Sequence, residues 1–267
     1  KAVHYPCHPE NHFVPDPKDL AKLITPKTRA IVVINPNNPT GAVYPREVLQ
    51  GIAQLAEKHH LVLFADEIYD TMLYDGAEYV PLATLTDKPL VATFGGLSKI
   101  YRACGIRVGW VSFSGEKSRA KEYLRGLELL ASLRLCANVP GQFAVQTALG
   151  GRQSIEDLIR PGGRLYETRR AILETVGKSQ YMDVMAPKGA LYAFVRVKSE
   201  LFPDGFDDQA FALKLLEEKH ILIAPGTSFN VPYKNHFRIT LLPQPDQMRG
   251  VIGQIDELLA DLAEANG

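Results

Sequence analysis

A lysine framed by glycines stands inside FGGLSKIYRACGIRVGW, Phe94 to Trp110. Lys99 follows a short apolar stretch, Leu90 to Phe94, with Gly95, Gly96, Gly105 and Gly109 around it. Glycines let the backbone turn tightly and let a bulky group come close. A lysine held there, with part of its hydration removed, can act as an amine nucleophile. Arg107 adds a fork of donors suited to a phosphate. A solvated loop lysine would show the same local pattern, so the weight rests on three other stretches. LVLFADEIYD, Leu61 to Asp70, runs an apolar strand straight into Asp66, with the phenol of Tyr69 three residues on. A carboxylate at the end of a buried strand needs a positive partner or hydrogen bonds. A protonated ring nitrogen, a metal or a structural arginine would each serve. NPNNPTG, Asn35 to Gly41, has two Asn-Pro pairs and a closing glycine, the marks of a rigid, irregular loop. Arg238 sits within the otherwise apolar HFRITLL, His236 to Leu242.

Several elements must position these residues. Ala30 to Ile34 is a continuous, largely β-branched apolar run, which predicts a strand buried on both faces in a parallel sheet. Pro45 to His59 repeats apolar residues at helical spacing, and Leu61 to Ala65 is a second buried strand. Strand, loop, helix, strand is a βαβ unit, and loops at the carboxyl ends of such strands are where α/β folds place ligands. Asp16 to Ile24 predicts a short helix with Asp16 as N-cap and Pro17 at its first position. Lys117 to Leu135, Pro140 to Leu149 and Ile155 to Val176 predict further helices, the last broken near Pro161-Gly162-Gly163. Arg164, Arg169 and Arg170 are expected on a solvated helix face. Beyond this point the pattern changes. Met182 to Met185 and Ala190 to Val197 alternate as half-buried strands. Asp208 to His220 predicts a helix with Phe211, Leu215 and Leu216 inward, Ile221 to Ala224 a short strand, and Gln244 to Ala265 a closing amphipathic helix. The expected fold is α/β, a mostly parallel sheet flanked by helices, with a smaller α+β unit. The division is placed at 1–165 and 166–267.

The 267 residues can bury a sizeable core. Lys+Arg and Asp+Glu both number 30, so no basic excess points to nucleic acid or to a membrane surface. No apolar run approaches the roughly 20 residues of a membrane span. The opening KAVHYPCHPE is polar and proline-rich, unlike a signal peptide. Cys7, Cys104 and Cys136 are few, odd in number and far apart, which fits a reducing, cytoplasmic setting. His4, Cys7, His8 and His12 invite a metal reading, but Pro6, Pro9 and Pro15 break any helix that could align them, and no metal is expected. The chain starts without Met, in what reads as an extended strand, and is expected to be a piece of something longer.

NPNNPTG, then ADEIY, then GLSK with Arg107 after it, then FRIT, in this order and spacing, resembles the fold-type I, class I/II pyridoxal-phosphate-dependent aminotransferases across nearly the whole chain. GLSKIYRACGIRVGW, LASLRLCANVPGQ and PGGRLYE are similar to the bacterial alanine (glutamate–pyruvate) transaminases. The resemblance implies pyridoxal 5'-phosphate as cofactor, bound to Lys99 as a Schiff base. Lys99 would also carry protons during the reaction. Asp66 would pair with the cofactor's ring nitrogen. Tyr69 and Asn38 would hydrogen-bond its ring oxygen, and Arg107 would bind its phosphate. Arg238, with Asn38, would bind the substrate, the arginine holding the α-carboxylate by two parallel hydrogen bonds. A cis peptide is implied at Asn38-Pro39. Ser98 is counted with the cofactor-binding residues, although Gly96 replaces the serine that contacts the phosphate in many members.

The implied reaction moves an amino group between a small amino acid such as alanine and a 2-oxo acid such as 2-oxoglutarate. A homodimer is implied when the protein is full length. The family's N-terminal part supplies a loop on the phosphate and an aromatic ring stacked on the cofactor. Neither is found in this sequence, so these 267 residues alone are expected to be weakly active or inactive. Two rivals share the motifs: another fold-type I enzyme, such as a β-lyase or a cyclopropane-carboxylate synthase, and the aminotransferase-like effector domain of a transcription regulator. A generic α/β binding domain would share none of the chemistry. Tyr192 fits the substrate mouth and a core position equally.

Overall fold

The β-branched run forms β1 (Ala30–Ile34), and the computed structural model, which describes residues 1–202 and 205–265, pairs it in parallel with β2 (Val62–Asp66). Next comes β3 (Val91–Gly96), again parallel, and then β4 (Gly109–Ser114), antiparallel to β3. The register sets Ile34, Asp66 and Phe94 in one row; β1 and β2 end there, and β3 runs on two residues to Gly96. Helix α1 (Pro17–Leu23) is capped as its sequence predicts, the Asp16 carboxylate accepting from Lys18 N at 2.8 Å. Helix α2 (Arg46–Lys58) is the crossover that parallel neighbours require, and it buries Leu49, Ile52, Ala53 and Ala56. A Cβ on Gly51 would stand 2.7 Å from Pro17 Cγ, so only glycine allows this approach to Pro17.

The expectation that the first strands are buried on both faces is corrected. Ile31, Val33, Leu63 and Val91 pack with Leu20 of α1 and Leu49 and Ile52 of α2. On the other face, Val32, Phe94 and Val111 are 51, 38 and 42% exposed. An apolar run shows that a strand can be covered twice, not which elements cover it. Helix α3 (Lys121–Arg134) follows a 3-10 turn over Lys117–Ala120 and leaves Leu129, Leu130 and Leu133 exposed. Next come α4 (Val139–Gly150), α5 (Glu156–Ile159) and α6 (Arg164–Val176), with the expected break at Pro161 to Gly163.

The second sheet is antiparallel, ordered β5-β6-β8-β7, with β5 (Met182–Val184), β6 (Tyr192–Val197), β7 (Ala224–Pro225) and β8 (His236–Thr240). Helix α7 (Asp208–Lys219) is capped by Asp207, and α8 (Pro245–Ala265) closes the chain. Their core joins Ile172 and Val176 of α6, Phe211 and Leu215 of α7, and Ile252, Ile255 and Leu259 of α8. Three details differ from expectation. Leu216 is 41% exposed, because one further helical step turns it away from the core that Leu215 enters. Of the predicted strand at 221–224 only Ala224 pairs, and Leu222 is 80% exposed. Strand β6 is not half-buried: Ala193, Val195 and Val197 enter the second core while Phe194 reaches the first, its ring centroid 5.6 Å from that of Phe13.

The N-terminal segment forms no paired strand; Tyr5 donates its hydroxyl to Val32 O at 2.8 Å. Its histidines and cysteine are not drawn together. Cys7 Sγ lies 3.9 Å from the Tyr44 hydroxyl, and His12 Nδ1 lies 3.2 Å from Met185 Sδ.

The two sheets are joined at one seam. Lys188 N and Gly189 N donate to Gly41 O at 2.8 and 2.9 Å, and Tyr74 N donates to Lys188 O at 2.9 Å. A Cβ on Gly189 would stand 2.7 Å from Pro36 Cβ, so this close crossing depends on glycine. Arg169 pins the seam and corrects the expectation of a solvated face: it is 4% exposed. Its Nε donates to Pro187 O at 2.7 Å, its guanidinium pairs with Asp75, and it lies 5.1 Å from the Tyr74 ring centroid. Arg170 meets the expectation, ion-paired with Glu167 and Glu174 at the surface.

Candidate functional site

The site begins where β1 ends. Asn35 is buried, and its Oδ1 accepts from Tyr44 N at 2.8 Å. Asn37 Nδ2 donates to the Tyr44 hydroxyl at 3.0 Å, and Asn37 Oδ1 accepts from Thr40 Oγ1 at 2.8 Å. The loop therefore holds its shape through its own asparagines, and Asn38 is left to face the second sheet. The peptide at Asn38-Pro39 is cis as the resemblance implies; Asn35-Pro36 is cis as well.

Asp66 closes β2. Ile68 N donates to its Oδ1 at 3.3 Å. Burial raises the carboxyl above its ordinary range, while that backbone hydrogen bond and the charge of Lys99 pull it down. Its neighbour Glu67 does other work, accepting from Leu82 N at 2.9 Å. Tyr69 is 3% exposed, and its hydroxyl lies 2.8 Å from that of Tyr192. Burial pushes the Tyr69 phenol well up. Lys99 stands in the turn after β3, where Arg102 N donates to Lys99 O at 2.9 Å; its Nζ lies 5.9 Å from the Tyr69 ring centroid. The row formed by Ile34, Asp66 and Phe94 is what brings these three chain segments together.

Arg238 comes from the second sheet. Its Nη1 donates to Asn38 Oδ1 at 2.8 Å across 200 residues of sequence. Its guanidinium carbon lies 4.4 Å from the Tyr192 ring centroid and 4.8 Å from that of Phe229. Its Nε is buried without a hydrogen-bond partner among the described residues. Arg107 is exposed; its Nη1 donates to Cys104 O at 2.7 Å and to Ser98 Oγ at 3.4 Å. The sequence-predicted residues thus fall into two groups. Asn38, Asp66, Tyr69, Lys99 and Arg238 are linked by contacts or charge, and Ser98 with Arg107 forms a pair beside Lys99. Phe229 was missed; PGTSFN carries no chemical motif, and its only signal is an aromatic just before the strand of Arg238.

The donor set fits pyridoxal phosphate on this structure's own terms. Asp66 is a half-buried carboxylate supported by one long backbone hydrogen bond, a place a protonated ring nitrogen would complete. The orphaned Arg238 Nε is a place a carboxylate would complete. The family model for aminotransferase class I and II matches residues 1–255.

The chain belongs to this family.

As a class I and II aminotransferase chain it is similar to the glutamate-pyruvate aminotransferase AlaA of Escherichia coli strain K12, with 50% identity over 248 residues, 93% of this chain and 61% of that protein. The alanine aminotransferase of Mycobacterium tuberculosis strain H37Rv is 46% identical over 257 residues, 96% of this chain and 60% of that protein. This aminotransferase chain therefore spans about 60% of the length of those relatives. Among solved structures, an aminotransferase from Escherichia coli superposes with a TM-score of 0.94 at 48% identity, over 97% of this chain and 64% of that one. The alanine aminotransferase from Pyrococcus furiosus gives 0.91 at 32% identity, over 98% of this chain and 65% of that one. The fold expected from sequence, a mostly parallel sheet flanked by helices with a smaller unit after it, is the fold of these neighbours.

Proposed function

We propose that this chain carries the cofactor-binding and carboxylate-binding residues of a pyridoxal-phosphate-dependent alanine transaminase. The reaction would move the amino group of a small amino acid such as alanine to a 2-oxo acid such as 2-oxoglutarate. The observation that carries this reading is the meeting of Lys99, Asp66 and Tyr69 at one sheet edge, with Arg238 reaching Asn38 from the other sheet. When bound, the cofactor supplies an aldehyde that takes up the amine and a ring that spreads charge arising at the substrate's Cα.

The chain's own residues do the rest. Lys99 offers the amine that anchors the cofactor and then takes and returns a proton at the substrate's Cα. Asp66 would set an anion opposite the ring nitrogen and keep a proton there. Tyr69 and Asn38 would donate hydrogen bonds to the ring oxygen, Asn38 through Nδ2, because its Oδ1 already serves Arg238. Arg107 and Ser98 would bind the phosphate. Arg238, wedged between Tyr192 and Phe229, binds the substrate carboxylate, and the wedge fixes the plane in which it does so.

The same reading divides the chain into a cofactor-binding unit, 1–165, and a smaller unit, 166–267, and places a homodimer in the cytoplasm. The exposed Val32, Phe94 and Val111 support the further expectation that the 267 residues by themselves turn over weakly. The test is product analysis on the full-length protein with alanine and 2-oxoglutarate. Pyruvate and glutamate are expected one for one; ammonia release in place of glutamate would favour a β-lyase and overturn the reading.

A further inference from the structure

Tyr192 touches two residues of the site at once. It stands on β6 opposite Thr240 of β8 and is 5% exposed. Its hydroxyl lies 2.8 Å from the Tyr69 hydroxyl, and the two rings meet edge to face with centroids 5.7 Å apart. The Arg238 guanidinium lies 4.4 Å from its ring centroid. Each phenol has one proton to give and lone pairs to accept with. Between the two hydroxyls, then, one donates and the other accepts, and the order decides what Tyr69 can offer the site.

The groups facing Tyr69 are Asp66 at the end of β2, Lys99 in the turn after β3, Arg238 on β8 and Tyr192 on β6. If Tyr69 gave its proton to Tyr192, its lone pairs would face the site and it could not donate to an anionic oxygen there. If Tyr192 gives its proton, that of Tyr69 is free to point into the site. Both rings carry a cation, but the Arg238 guanidinium lies 4.4 Å from the Tyr192 centroid and Lys99 Nζ 5.9 Å from that of Tyr69, so the closer cation on Tyr192 favours this second order. Donation in sequence also strengthens each bond in the chain.

We propose that Tyr192 is a positioning residue that donates its hydroxyl proton to Tyr69, so that Tyr69 presents its own proton to the anionic ring oxygen of the cofactor. The proposal rests on the functional reading above. Tyr192 thereby ties the arginine that receives the substrate carboxylate to the phenol that tunes the cofactor, through one side chain. Tyr192→Phe removes the donated proton and keeps the ring on which Arg238 rests.

The test is a pH titration of the visible absorbance of the full-length, cofactor-loaded protein, for wild type, Tyr192→Phe, Tyr69→Phe and the double variant. Tyr192→Phe is expected to move the midpoint upward by about half a pH unit, because a weaker donor leaves the ring oxygen's charge less stabilised and the neighbouring proton more tightly held. In the Tyr69→Phe background the same change is expected to move nothing. A midpoint that does not move, or that moves downward, overturns the proposal; the downward shift would mean that Tyr69 donates to Tyr192. A wild type without any visible band overturns the functional reading and this proposal with it.

Discussion

Two arginines mark two regions of the molecule with opposite logic. At the seam, Arg169 has its carboxylate partner within the chain: it pairs with Asp75 and also donates to Pro187 O. At the site, Arg238 has none; it rests between two rings, donates to Asn38, and keeps a buried Nε without a partner among the described residues. The carboxylates mirror this. Asp75 faces Arg169 and Lys188, whereas Asp66 has one backbone hydrogen bond and the more distant charge of Lys99. A buried charge whose partner lies in the chain acts as a strut. A buried charge left short of partners is matched to something that arrives from outside, and it weakens the protein until that arrives.

The comparison is broken most forcefully at Arg238. In the full-length protein, Arg238→Ala is expected to lower kcat/KM for the amino acid on the order of a thousandfold, the usual consequence of deleting one side of a desolvated carboxylate pair. The melting temperature should hardly change, because the partner left behind, Asn38 Oδ1, is a neutral amide rather than a charge. A large loss of stability with intact kinetics would make Arg238 the strut. Arg169→Ala is expected to behave in reverse. It leaves Pro187 O without its donor and Asp75 with Lys188 alone, and denaturant unfolding should show a loss of about 2 kcal/mol. The fraction that remains folded should keep its KM. An Arg169→Ala protein of wild-type stability would remove the distinction.

Asp66 sharpens the comparison through pH. Its carboxyl is raised chiefly by burial, so the folded state holds the proton more tightly than the unfolded chain does. That contribution to stability is fully present below about pH 4 and is lost as pH rises through the raised value. Asp66→Asn in the cofactor-free protein should therefore be more stable than wild type at pH 7. The gap should close on titration toward pH 4. An Asp66→Asn protein less stable than wild type at neutral pH would show that Asp66 has a partner in the chain after all.

The two regions were not equally legible in the sequence. Site residues announce themselves because they interrupt strong patterns: Asp66 ends an apolar strand, Arg238 sits inside one, and NPNNPTG and the glycines around Lys99 allow little but a shaped loop. The seam hides because its partners lie far apart in the chain. Arg169 shares a face of α6 with Leu165, Ile172 and Val176, but it stands next to the exposed Arg170, and its partner is 94 residues away in a turn with no motif. The same distance kept Phe229 and the hydrogen bond between Tyr69 and Tyr192 out of view, since contacts across 123 residues follow from sheet docking rather than from spacing. The uncovered face of the first sheet was misread for a related reason. Ala30–Ile34 has the composition of a doubly buried strand, and composition records what a strand can accept rather than what lies against it.

The central claim is that Asp66, Lys99 and Arg238 form no ion pair among the described residues because a cofactor and its substrate supply the partners. The absorbance spectrum after addition of pyridoxal phosphate, on wild type and on Lys99→Ala, tests it most directly. The account predicts a visible band in the wild type that is lost in Lys99→Ala. The same band in both proteins, or no band in the full-length wild type, would contradict it.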